Sequence, residues 1–87
     1  MSIWYVTIEV HQDDKLLDSW TQTSTPKLSM RILRKASTVC SYKIEKGEAT
    51  MDKPFLVSMY SDQTNKLLDS RELTMTGLRH GNFELEP

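Results

Sequence analysis

Residues 2–10, Ser-Ile-Trp-Tyr-Val-Thr-Ile-Glu-Val, set Trp4, Val6, Ile8 and Val10 on one alternation and Ile3, Tyr5, Thr7 and Glu9 on the other. A period of two in a run rich in β-branched and aromatic residues specifies a strand with one face to bury. A lone strand is not stable, so the chain must supply a partner strand and a second layer. The fully apolar set, Trp4 to Val10, is expected to face the core. His11–Lys15 is a polar turn in which Asp13 and Asp14 tolerate turn geometry. Residues 16–23 then read as the return strand of a hairpin.

The second layer is expected next. Thr25 offers an N-cap hydroxyl and Pro26 suits a first helical position. Leu28, Ile32, Leu33, Ala36, Val39 and Cys40 recur at helical spacing, with Lys27, Arg31, Arg34 and Lys35 on the opposite side. Ser37, Thr38 and Ser41 weaken the C-terminal end. Residues 28–32 also alternate as a strand would, so an all-β sandwich with two strands in 28–45 is the alternative. Residues 42–54 read as a connector, 54–60 as a strand, 61–65 as a turn, 67–78 as short apolar pieces and 82–86 as a short final strand. Lys-Leu-Leu-Asp-Ser occurs at 15–19 and again at 66–70. Each copy follows a β-rich segment and a polar turn, which fits a duplicated hairpin or two uses of one strand-opening pattern.

Composition bounds the partners. Eighty-seven residues make one domain, 1–87, with a small core. Eleven Lys+Arg against twelve Asp+Glu give a net charge of -1, which supplies no general attraction to nucleic acid or anionic lipid and is too weak for an acidic DNA mimic. Cys40 is the only cysteine, so no internal disulfide can form and a reducing cytoplasm is the expected location. No apolar run approaches the roughly 18 residues of a membrane span, and membrane insertion is not expected. Residues 1–10 lack the basic start and small-residue cleavage site of a signal peptide.

Catalytic chemistry finds little purchase. His11 and His80 are far apart in sequence, and one cysteine with two such histidines does not make a zinc set. Adjacent Asp13 and Asp14 would point apart in a strand, and Cys40 falls on the apolar helical face, where a structural thiol is expected. No Gly-rich phosphate loop or nucleophile elbow is present. The expectation is therefore a protein with no catalytic residues, no metal and no cofactor. Lys27, Arg31, Arg34 and Lys35, with aromatic Trp4, Tyr5 and Trp20, could contact a nucleic-acid backbone, but a solvated basic face explains the same pattern.

Strand, strand, helix, strand, short pieces, strand is the element order of the ubiquitin-like β-grasp, an α+β fold. Leu67-Leu68-Asp69, Leu73, Gly77-Leu78 and His80-Gly81-Asn82 followed by Phe83 and Leu85 resemble the closing segment of ubiquitin-like domains. Within that fold the chain is similar to the small bacterial YukD/EsaB-like proteins associated with type VII secretion. Two departures stand out. The apolar pair Phe83 and Leu85 is shifted by one position, and a one-residue shift flips a strand's faces. The chain ends Leu85-Glu86-Pro87 and not Gly-Gly, so conjugation or sulfur-carrier chemistry is not expected.

The resemblance implies binding through the open face of the sheet. With Leu17 toward the core, Leu16, Asp18 and Trp20 should point outward, and Tyr5, Leu16 and Trp20 should form an exposed apolar patch of the kind that marks interfaces. Arg31, Arg34 and Lys35 make a second, charged surface. The function expected is a non-enzymatic, cytoplasmic protein-binding accessory or regulatory module with a larger protein partner; a homodimer stays open. Two alternatives are a phage- or plasmid-encoded inhibitor that occludes a host enzyme and an auxiliary subunit of a multicomponent oxygenase.

Overall fold

The structure is a computed structural model that describes residues 3–74 and 85–86. Its elements are β1 (Trp4–Gln12), β2 (Lys15–Ser24), α1 (Met30–Glu45), β3 (Phe55–Ser61), β4 (Leu67–Leu73) and β5 (Leu85–Glu86). The strands form one sheet in the order β2-β1-β3-β4-β5, and every pairing is antiparallel. The helix packs on one side of this sheet, which makes the fold α+β. β1 lies between β2 and β3, and β5 lies at the far edge beside β4.

The period-two reading of the first strand holds in its centre. Val6, Ile8 and Val10 are fully buried, whereas Trp4 at the strand's start remains exposed. The turn is tight: Asp13 and Asp14 have φ of 52° and 64°, the left-handed pair of a two-residue hairpin whose twist matches its strands. From β3, Phe55, Val57 and Met59 join the same buried face, and Leu73 joins from β4. The helix covers them with Ile32, Leu33, Ala36 and Cys40, while Leu28, Val39 and Ile44 pack at the margin.

Residues 28–45 are therefore not two strands, and the all-β sandwich is overturned. The helix also begins later than Thr25 and Pro26 suggest. Ser29 is the N-cap; its side chain accepts from Ile32 N at 3.3 Å. The chain leaves the sheet's edge strand at Ser24, and residues 25–28 are spent bringing it onto the sheet's face. There Leu28 N donates to Asp69 Oδ2 of β4 at 2.9 Å, fixing the point of entry. At the other end the helix continues past Ser41 to Glu45, taking the first four residues of the expected connector. Gly47 stops it: at φ 76° its N–H donates to Ile44 O, and Glu48 N–H donates to Lys43 O at 2.8 Å, a Schellman arrangement. The loop that follows is held on the helix side by buried Gln12. Its Nε2 donates to Thr50 O and Lys53 O, and its Oε1 accepts from Thr50 N.

Residues 67–73 form one strand, not short pieces. The closing motif from Gly77 to Phe83, including His80, lies outside the described residues, as does most of the expected strand 82–86.

The repeated pentapeptide is a repeated structure. In β2, Leu16 pairs with His11 and Asp18 with Val10, leaving Leu17 as an extra residue at a bulge. In β4, Leu67 pairs with Tyr60 and Asp69 with Met59, leaving Leu68 in the same place. Each aspartate then turns back on its neighbour: Ser19 N donates to Asp18 Oδ1 at 2.8 Å and Ser70 N to Asp69 Oδ1 at 2.9 Å. Aligning the two copies makes Val10 equivalent to Met59, and so Glu9 to Ser58. Glu9 and Ser58 pair with each other in the β1–β3 register, so a local two-fold relates the hairpins through that pair.

Candidate functional site

The bulge at Leu17 decides which residues share a face. In an uninterrupted strand Leu17 inward would send Trp20 outward. With an extra residue at the bulge the parity shifts, and both Leu17 and Trp20 point toward the helix. Trp20 pairs with fully buried Ile8, packs at the margin of the core and lies under Lys35, whose Nζ sits 4.5 Å from the ring centroid. Its indole Nε1 donates to Gln22 Oε1 at 2.8 Å. Tyr5, Leu16 and Trp20 therefore do not form one patch. Tyr5 and Leu16 stand exposed on the sheet's open side, and Trp20 belongs to the other side. Arg31, Arg34 and Lys35 are exposed on the helix, across the sheet from Tyr5 and Leu16, and Lys35 joins Trp20 in a cation–π contact.

On the open side the cross-strand register arranges side chains in rows. One row runs Leu16, His11, Leu56, Glu72 across four strands. A second runs Thr21, Thr7, Tyr60, Leu67. Between them lie Ser19, Glu9, Ser58 and Ser70, three of them short, so the face has two ridges and a shallow polar valley. The local two-fold makes Leu16 of one ridge equivalent to Leu67 of the other. Tyr5, Leu16, Leu56 and Leu67 are 64%, 50%, 44% and 56% exposed, which separates them sharply from the buried residues of the opposite side.

Leu56, Tyr60 and Leu67 were missed by sequence reasoning, although signals for all three were present. The alternation in Phe-Leu-Val-Ser-Met-Tyr puts Leu56, Ser58 and Tyr60 together once Phe55, Val57 and Met59 are core. The repeat makes Leu67 the counterpart of Leu16.

Among the residues of the ridges and the valley, the carboxylate and imidazole groups are Glu9, His11 and Glu72, with Asp13 and Asp14 at the turn beside them. His11 Nε2 lies 3.6 Å from Glu9 Oε1, and Lys53 Nζ lies 2.6 Å from Asp13 Oδ2. Among the described residues no group of three or more His, Cys, Asp or Glu is placed to hold a metal ion. Cys40 sits fully buried beneath the helix, and burial pushes its thiol up to about 12, so thiolate is scarce at neutral pH. Among the described residues no helix is long and apolar enough to cross a membrane. Comparison of the chain with protein-family models, with curated proteins and with solved structures finds no match, so the reading of this face rests on its own geometry.

Proposed function

We propose that the chain is a non-enzymatic protein-binding module that docks a larger partner, in the cytoplasm, through the open face of its sheet. The observation that carries this reading is the segregation of the sheet's two sides. One is sealed by the helix, while the other carries Tyr5, Leu16, Leu56 and Leu67 together and uncovered by the helix. Large apolar side chains grouped on one face are a feature of interaction surfaces, and tyrosine is enriched where binding energy concentrates. The β-grasp reading, and with it the likeness to YukD/EsaB-like accessory proteins, draws support from the hairpin, the crossing helix and the strands that follow. The pairing of β1 with β3, and not with the closing strand, gives this sheet an order of its own.

The test is a cross-linked pull-down from native extract with two charge variants, each first checked for native circular dichroism. Leu56→Asp, on the open face, should abolish recovery of a specific partner. Arg34→Glu, on the helix, should leave recovery intact. A partner retained by Leu56→Asp and lost by Arg34→Glu would move the binding surface to the helix and overturn the proposal.

A further inference from the structure

The outer edges of β2 and β4 are used differently. Among the described strands β2 pairs only with β1, so its other side is an open edge. Backbone parity identifies the groups along it. Asp62 N–H donates to Tyr5 O at 3.0 Å, so Tyr5 directs its peptide groups toward β3, and by the alternation of an antiparallel ladder so do Thr7 and Glu9. Val6 and Ile8 then direct theirs toward β2, where they pair with Gln22 and Trp20. Ser19, Thr21 and Thr23 are left with N–H and C=O groups pointing away from the sheet. Two of these are occupied locally: Ser19 N donates to Asp18 Oδ1 at 2.8 Å, and Thr23 O accepts from Gln22 Nε2 at 3.3 Å. Ser19 O, Thr21 N–H, Thr21 O and Thr23 N–H make no hydrogen bond to another described residue. The local two-fold between the hairpins makes Thr21 equivalent to Glu72. At Glu72 the outer edge of β4 takes a strand: β5 pairs antiparallel there, Glu86 opposite Glu72.

An unpaired edge is a template for a further strand, and the pattern on β2 is self-complementary. Set two β2 strands antiparallel about a two-fold at Thr21. Thr21 then faces Thr21 of the second copy, and Ser19 faces Thr23. The bonds formed are Thr21 N–H to Thr21 O and Thr23 N–H to Ser19 O, each made twice, and they use all the groups left open. The other two, Ser19 N–H and Thr23 O, would face each other and are already satisfied within each chain. On the helix side half-buried Trp20 faces Gln22 of the second copy, and the two indoles become diagonal neighbours within reach of each other. No residue from Ser19 to Ser24 is charged and none is proline, so the edge lacks the usual devices that block pairing. We infer that two copies of this chain pair through β2, antiparallel and centred on Thr21, joining their sheets into one. The axis stands perpendicular to the sheet, so both open faces lie on the same side and stay uncovered. The contact is a single strand pair with its flanking side chains, at the low end of interface size, so a dissociation constant on the order of 0.1 mM is expected.

The experiment is sedimentation equilibrium of the full chain from about 10 µM to about 1 mM, with amide hydrogen exchange followed at both ends of that range. The chain should pass from monomer to dimer. Exchange at Thr21 and Thr23 should slow about fivefold at the higher concentration, where roughly four-fifths of the chain is paired. Thr21→Pro removes a donor that faces away from β1, so it should keep native circular dichroism and stay monomeric throughout. Thr21→Lys and Thr21→Glu each set like charges opposite at the two-fold and should each weaken association about fivefold. An equal mixture of the two should restore it, because only a register centred on residue 21 sets the lysine against the glutamate. Leu56→Asp, on the open face, should dimerise as the unaltered chain does. A chain that stays monomeric at about 1 mM overturns the inference, and so does a mixture no tighter than its components. If Leu56→Asp loses self-association while the charge variants keep it, the copies meet through their open faces and the edge pairing falls.

Discussion

The two Lys-Leu-Leu-Asp-Ser segments have the same backbone design and opposite distributions of weight. In the first copy the bulged Leu17 is buried in the core, while Asp18 is exposed and bonds only its neighbour's N–H. In the second copy the bulged Leu68 is half-buried at the core's margin, and the side chain of Asp69 is 14% exposed. Asp69 accepts from Leu28 N, Ser70 N and Arg71 Nη1, each at 2.9 Å. The difference follows from position in the sheet. β2 is an edge strand that needs a large side chain to close the core's flank, and β4 lies where the chain enters the helix and offers an unpaired backbone donor. A local sequence thus sets the bulge and the aspartate's turn; the neighbours decide which of its residues carries stability.

That comparison can be broken most directly at the leucines. Leu17→Ala removes a core side chain and should destabilise by about 3 kcal/mol, against about 1–2 kcal/mol for Leu68→Ala. Urea unfolding followed by circular dichroism measures both. Equal losses would mean that the two bulges bear equal weight after all. The aspartates should rank the other way. Asp69→Ala leaves Leu28 N–H without its partner and should cost about 2 kcal/mol, whereas Asp18→Ala should stay within about 0.5 kcal/mol. Asp69→Asn keeps an acceptor and should recover most of the loss. If Asp18→Ala proves the costlier change, the helix entry does not depend on β4.

How far the sequence reveals this molecule depends on the range of the interaction. Val6, Ile8, Val10 and the helical set from Ile32 to Cys40 were legible because burial of one face repeats at a fixed period. The helix start was not, because Thr25-Pro26 is a good local cap and the competing demand, a tether from Leu28 to Asp69, spans 41 residues. Trp20 was misplaced for a related reason. Alternation was extrapolated through Leu17, and a bulge leaves no mark in composition. The repeat held the clue, since a second Leu-Leu pair in the same setting constrains both copies, but its meaning needs the register. The open face was illegible as a unit: His11, Leu56 and Glu72 come from three strands, and only their pairing brings them into one row.

The smallest expected difference lies in the turns that introduce the two copies. The first hairpin turns through two left-handed residues, Asp13 and Asp14, and the longer second turn has one, Asn65 at φ 59°. Aspartate tolerates that region less well than glycine, and Asp-Gly is a preferred pair for such a two-residue hairpin. Asp14→Gly should therefore stabilise the chain by about 0.5 kcal/mol, the relief of backbone strain exceeding the added entropy of the unfolded chain. Asn65→Gly should be close to neutral, because asparagine already accepts the conformation and its turn is held by hydrogen bonds, with Asn65 N donating to Ser61 O at 2.8 Å and Ser61 N to Lys66 O at 2.9 Å. A gain at Asn65 and none at Asp14 would show that the longer turn is the strained one. The division between the hairpins would then have to be sought in their turns as well as in their bulges.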